Sequence, residues 1–504
     1  MSSVSNNKRS LVLITVDCLR ADHCGFYGYP RPTTPLLDSL AEEAFVVPTA
    51  IVGGAPTYYS FPTILASRMP FALGRDVVGL APGEATLATA LHASGCATAA
   101  FSAANPYISP RFGYDQGFDV FRDFLDFEAK SVPEGASAEA SPDDSVRGKL
   151  NRSIRNLAGA VGLSRLYDEL YFQYCMKIAP PAKSIDGLRR FPAADVLVDE
   201  AQAWLASVGE QPFFLWLHLM DPHSPYYPAE DAFRELTGTS VEPGRARYVN
   251  EYWNRSDLGA PGLRSKRDEV VRLYDAGIRW VDSQIARLVG SLRQTNRWDQ
   301  CVLALTADHG EEFLEHGGRY HAPLRLNEEI VRVPVLIRVP GERVPKELGG
   351  KLPASPMSHL HLAPTLLEIL GAEAPSSFRG RSLWTNLQRG EPWDDPAIGP
   401  AIIECGYGCT NPFRAESRSV SRLLAVREER FKMVMRVEPD AVEEVYDLET
   451  DPAEADRGGA GLAAGTRKRL LLAARDHMEK ETSAYDDKMR LRARLRDLRS
   501  DRLG

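Results

Sequence analysis

No run of about 18 apolar residues occurs in the 504-residue sequence, so no membrane-spanning helix is expected. The first ten residues, MSSVSNNKRS, are polar and lead straight into a strand pattern, so a secretory signal is not expected either. Cysteine is sparse and irregular: seven residues, at 18, 24, 96, 175, 301, 405 and 409. An odd count without regular spacing points to reduced thiols and a cytoplasmic protein. Cys405 and Cys409 lack the companions of a zinc ribbon and read as structural. There is no basic excess. Lys and Arg number 60 against 68 Asp and Glu, a net charge of -8 spread along the chain, so no nucleic-acid partner is indicated. The segment from Arg467 onward mixes both signs and reads as a solvated helix. No internal repeat is evident. What is present is ordinary for a soluble globular protein, with 44% hydrophobic and 25% charged residues. Length alone suggests two to four domains, although large α/β enzymes often fold as one main unit. Homo-oligomerisation stays open.

The organising stretch is LVLITVDCLRADHCGFYGY, residues 11–29. Leu11 to Val16 is apolar without alternation, as in a strand covered on both faces. Asp17 follows at its carboxyl end, the edge where open α/β sheets build their sites. Taken alone, Asp17 reads equally well as a cap on the next turn. A second stretch, CVLALTADHGEEFLEH at 301–316, repeats the pattern: Val302 to Thr306 ends in Asp308 with His309 beside it. Two buried strands ending in Asp and Asp-His predict one metal site assembled from distant parts of the chain. Carboxylate and imidazole donors suit Zn or Mn, and less well Ca or Mg.

Between these stretches strands alternate with helices, which predicts a mostly parallel sheet covered on both faces. Helices are expected from Pro35, with Thr34 as N-cap, and over 87–94, 193–208, 266–294 and 362–370. Strands are expected over 45–51, 97–102, 213–219 and 333–339. RFGYDQGFDVF reads as a loop packing aromatics on the core. The strand at 213–219 delivers His218, Asp221 and His223. About 126–190 is irregular and then helical, and SVPEGASAEASPDDS has the composition of a surface insertion. Near Pro396 shorter strand patterns appear. The expected organisation is a catalytic α/β domain over 1–395 and a small antiparallel subdomain with a terminal helix over 396–504.

These motifs, in order, resemble the sulfatase family of the alkaline phosphatase superfamily: VDCLRADHCGFYGY, TTPLLDSLAEEA, the segment at Thr57, GFDVF, DPHSPY, ADHGEEFLEHG, RVPVLIRVPG, APTLLEILG, GRSL and YDLETDPAE. The resemblance implies a large α/β sandwich, a small C-terminal subdomain, and metal-dependent hydrolysis of sulfate or phosphate esters. The family nucleophile is a Cys or Ser oxidised to formylglycine in C-x-P-S-R, followed by a run such as LLTGRYP. Here ILASRMP at 64–70 matches that run, and counting back puts Thr57 at the nucleophile, Ser60 at the motif's Ser and Phe61 at its Arg. Thr is not a substrate for that oxidation, so Thr57 is expected to act as a plain alkoxide, with no formylglycine. A rival register built on Ser60-Phe61-Pro62 misplaces the downstream run by three residues.

His309 stands where many sulfatases have Asn, a substitution similar to phosphonate monoester hydrolases, and Cys18 stands where many have a second Asp. One divalent metal is therefore expected on Asp17, Thr57, Asp308 and His309. By the same resemblance His223 and His321 act at the ester or leaving oxygen. Asn105, His218 and Arg319 are substrate-binding candidates, Arg319 through bidentate contacts, and His218 reads alternatively as a core histidine. Glu312 and His316 are expected to shape the loop. The expected partner is a small-molecule sulfate, phosphate or phosphonate ester. The other readings are a soluble phospho- or sulfo-transferase, or a non-catalytic binding protein on the same fold.

Overall fold

The computed structural model describes residues 9–74, 77–126, 153–158, 160, 162–322, 325–345, 356–393, 398–406, 422–437, 441–459 and 462–480. The Ser-, Glu- and Pro-rich stretch at 131–145, Cys409 and the end of the charged C-terminal segment fall outside them.

Ser10–Val16 is the central strand of a seven-stranded sheet, and all its residues are buried. Across the sheet the order is Phe45–Val46, Val335–Arg338, Cys301–Ala307, Ser10–Val16, Phe213–Leu219, Ala97–Ser102 and Val120–Arg122. The five strands from Cys301–Ala307 to Val120–Arg122 are parallel. The unbroken apolar runs have this cause: helices cover the sheet, so no strand face needs polar residues. Arg267–Gln294 packs on Ala194–Val208 and Glu230–Thr237, while Thr57–Ala66, Leu87–Ala93 and Leu362–Ile369 pack on one another.

Two strand expectations need correction. The stretch 333–339 is not one strand. Pro334 has no N–H to give to a ladder, and the chain divides there into Arg332–Val333 and Val335–Arg338. The latter runs antiparallel to Cys301–Ala307, and Phe45–Val46 runs antiparallel to it in turn. The stretch 45–51 divides likewise, and Ala50–Ile51 joins a separate three-stranded sheet with Arg332–Val333 and Met357–Ser358. Thr34 occupies the N-cap of Pro35–Ala41 but makes no side-chain cap. Its hydroxyl instead donates to Asp38, and the free helix amides of Leu36 and Leu37 are taken by Asp282 at 2.9 and 3.0 Å.

A four-stranded antiparallel sheet follows in simple up-and-down order: Ala401–Gly406, Arg422–Glu428, Phe431–Arg436 and Ala441–Asp447. Its inner face, with Leu424, Val426, Met433, Met435 and Val445, buries Leu470 and Ala474 of the last described helix and Met69 and Ala72 beyond the Thr57 helix. Its first strand reaches the site. Glu404 N–H donates to Gly53 O at 2.9 Å, and its carboxylate accepts from Phe71 N–H at 2.9 Å.

Candidate active site

Asp17 and Asp308 leave the carboxyl ends of two adjacent parallel strands, paired so that Val16 lies beside Ala307. Strand pairing therefore brings the two carboxylates together. Both are fully buried, as are His309 and His218. The helix Thr57–Ala66 opens with Thr57 directly after Pro56, and its turn is tight. A Cβ on Gly54 would lie 2.7 Å from Tyr59 O, so glycine is required there. Thr57 Oγ1 then stands 3.0 Å from His309 Nε2. His309 Nδ1–H donates to Gly310 O at 2.9 Å, which leaves the Nε2 lone pair facing Thr57 and the carboxylates. Nε2 is 3.7 Å from Asp17 Oδ1 and 3.5 Å from Asp308 Oδ2. Gly310 is needed for this placement, since a Cβ there would sit 1.9 Å from Glu329 O.

On the other side of Asp17, Asn105 Nδ2 donates to Oδ2 at 3.1 Å and His218 Nε2 lies 3.5 Å from the same atom. Thr15, paired with His218 across the sheet, holds its Nδ1 at 3.0 Å. Phe61 packs its ring edge-on to His218 with centroids 5.1 Å apart. Burial acts to raise the Asp17 carboxyl, but His223, His218 and His309 together carry it well below the usual range. Asp308 is pushed up by burial and by the charge of Asp17. Burial and the neighbouring Glu311, Asp17 and Asp308 push the Cys18 thiol well up.

His223 and His321 complete the rim. The His309 and His321 rings lie 4.4 Å apart, and those of His321 and His223 5.2 Å apart. His223 Nδ1–H donates to Ser224 O at 2.5 Å. His321 is held by a group the sequence reading did not single out. Fully buried Glu311 contacts Nδ1 at 3.2 Å and accepts from Tyr226 O–H at 3.1 Å. The first acid of GEE and the tyrosine of DPHSPY were the traces of this support in the sequence. Asp221 caps the helix Ala194–Val208 through Ala194 N–H, and burial pushes it up to about 6. Glu312 shapes the loop, accepting from His316 and Gly318 N–H at 3.0 and 2.7 Å. Arg319 lies on a two-residue strand paired with Glu312–Phe313, its Nη1 buried and without a hydrogen-bond partner. No contact joins Arg319 to the Asp17 group among the described residues.

The group fits a cation. Asp308 Oδ2 is buried and has no hydrogen-bond partner among the described residues. The donor atoms of Asp17, His218 and Asp308 all lie within 4.8 Å of one another.

The family model described as Sulfatase matches residues 9–372. The chain belongs to the sulfatase family. A second model, N-sulphoglucosamine sulphohydrolase, C-terminal, matches residues 319–458. Among curated relatives, the multifunctional alkaline phosphatase superfamily protein PehA of Trinickia caryophylli is 26% identical over 227 residues, 41% of this sulfatase-family chain and 43% of the relative. The choline-sulfatase of Rhizobium meliloti (strain 1021) is 26% identical over 294 residues, 53% of this chain and 52% of the relative. The chain thus spans about half the length of these curated relatives. The crystal structure of the phosphonate monoester hydrolase of Agrobacterium radiobacter is similar with a TM-score of 0.63 at 19% identity, covering 95% of this chain and 96% of that one. That likeness fixes the fold.

Proposed function

We propose that this sulfatase-family chain is a metal-dependent hydrolase of sulfate, phosphate or phosphonate esters with Thr57 as nucleophile. The observation that carries the reading is the 3.0 Å contact of Thr57 Oγ1 with His309 Nε2, beside the carboxylates of Asp17 and Asp308. Asp17, Thr57, Asp308 and His309 would hold one divalent ion, Zn or Mn in preference to Ca or Mg. Such an ion, when bound, lowers the pKa of the hydroxyl and offsets charge on the ester oxygens. Ser60 lies one helical turn further on, its buried hydroxyl without a hydrogen-bond partner among the described residues.

With Nε2 of His309 committed as a ligand, the Thr57 hydroxyl gives its proton to solvent, and Oγ1 attacks sulfur or phosphorus as the bond to the leaving oxygen breaks. His223 or His321 gives that oxygen a proton, and the covalent Thr57 ester is then hydrolysed by water. No helix among the described residues is long and apolar enough to cross a membrane, and the six cysteines there form no disulfide with one another. These features support, as part of the proposal, a cytoplasmic site of action on small-molecule esters.

The test is turnover on a panel of aryl sulfates, phosphodiesters and phosphonates, with peptide mass spectrometry of 57–60. Thr57 and Ser60 are expected unmodified. Thr57→Ala should lose at least about a thousandfold in kcat, and Thr57→Ser should keep a measurable fraction. Near-native turnover in Thr57→Ala, or an aldehyde at Ser60, sinks the reading.

A further inference from the structure

Cys18, next to Asp17 in the first motif, has no role in the proposed mechanism. It follows Asp17 directly, is fully buried, and its backbone is held at a left-handed φ of 62°. A β-carbon makes that conformation uncommon, and such residues cluster where a side chain has to be aimed. The Cys18 thiol donates to Asp17 Oδ1 at 3.1 Å and lies 3.4 Å from His321 Nδ1. Its Sγ belongs to two groups of donor atoms that all lie within 4.8 Å of one another: Cys18 with His309 and His321, and Cys18 with Asp17 and His223. Each group contains one of the expected metal ligands. Two donors on one tetrahedral Zn ion are roughly 3.5 Å apart, so sulfur stands at ligand spacing from Asp17. A second observation points at the same space. Among the described residues Asp308 Oδ2 is buried without a hydrogen-bond partner, and it lies 3.5 Å from His309 Nε2.

We infer that Cys18 is a ligand of the metal held by Asp17, Asp308 and His309, and that its sulfur makes the site select a thiophilic ion, Zn²⁺, over Mg²⁺ or Ca²⁺. The inference rests on the metal-dependent reading of the site. On binding, the S–metal bond forms as the thiol proton leaves to solvent, so one proton is released per thiolate ligated. Replacing an oxygen donor by sulfur turns a carboxylate-and-imidazole set, open to hard ions, into a mixed set that hard ions bind poorly.

The experiment uses the full chain, stripped with chelator and reloaded with Co²⁺. Visible d–d bands report binding at the site, and a near-ultraviolet sulfur-to-cobalt charge-transfer band reports thiolate ligation. The wild type should show both. Cys18→Ser should keep the visible bands and lose the near-ultraviolet one, with Zn²⁺ affinity falling by on the order of tenfold or more and Mg²⁺ affinity little changed. Cys18→Asp should regain affinity and shift preference toward Mg²⁺ and Ca²⁺. Visible bands without a charge-transfer band in the wild type overturn the inference and leave the metal reading standing, as does unchanged Zn²⁺ affinity in Cys18→Ser. If Co²⁺ and Zn²⁺ do not bind the wild type at all, both fall. The wild-type spectrum decides the matter even where a variant fails to fold.

Discussion

At Asn105 the side-chain amide is already engaged with Asp17 Oδ2, at 3.1 Å. Its carbonyl oxygen accepts from Tyr107 N–H at 3.0 Å, so the side chain is fixed at both ends. The sequence suggests a substrate ligand; the geometry gives a residue that positions a carboxylate. Residues hydrogen-bonded to ligands typically account for 10–100-fold in metal affinity. Asn105→Ala should therefore weaken Zn²⁺ binding by about that factor while circular dichroism stays native, and chelator competition measures it. Asp17, Asp308 and His309 were readable because each ends an apolar run, and a charge has few reasons to stand there unless it serves a site. Glu311 was not readable. Its meaning depends on His321 folding back over it, and nothing in GEE says which acid turns inward. His218 was half readable: in FFLWLHL every residue is buried, so no alternation tells a core histidine from one that faces Asp17.

Among the elements, the parallel strands were legible from their unbroken apolar composition. The direction of Val335–Arg338 was not, because an apolar run reads the same either way and only the connection sets its sense. Asp282 illustrates a contact that local sequence cannot reveal. It sits in the middle of Arg267–Gln294 yet caps a helix that begins at Pro35, 246 positions away from it at Leu36. Burial pushes its carboxyl up to about 6, against the lowering effect of the Leu36 and Leu37 amides. A folded-state pKa raised above the unfolded value means that the folded protein binds the extra proton between about pH 4 and 6. The associated stability is full below that window and is lost as pH rises through it. Two units correspond to about 3 kcal/mol. Relative to Asp282→Asn, the wild type should lose about that much in urea unfolding between pH 4 and 7. A pH-independent difference between the two would show that the carboxylate is not desolvated as described.

Across the whole molecule, the antiparallel sheet is joined to the larger part by buried charge. Lys432 has no exposed surface and pairs with Glu454 at 2.8 Å and Glu328 at 3.3 Å, while Glu328 begins the short helix after the His321 loop. Burial acts to lower the lysine, but the two glutamates hold it above its usual range. Removing one partner of a buried set leaves charge without compensation, and the cost is about 3–5 kcal/mol. Lys432→Met should lose that much in urea unfolding, although Met fills a similar volume. A loss under about 1 kcal/mol would mean that Arg427 alone suffices for the carboxylates. The sequence showed a change of texture near Pro396, and we propose that 396–504 is a subdomain. What it did not show is how that part is bonded to the turn before Thr57.

That bonding bears on how the protein comes into being. The N–H of Glu404 holds Gly53 O, and its carboxylate holds Phe71 N–H across 333 positions of sequence. Domains usually fold in the order in which they leave the ribosome. A nascent chain that has just emitted His321 carries Asp17, Thr57, Asp308 and His309, yet it lacks the strand that sets the turn before Thr57. The chemical groups are thus complete long before their arrangement is. A strand synthesised long after Thr57 holds the turn that precedes it.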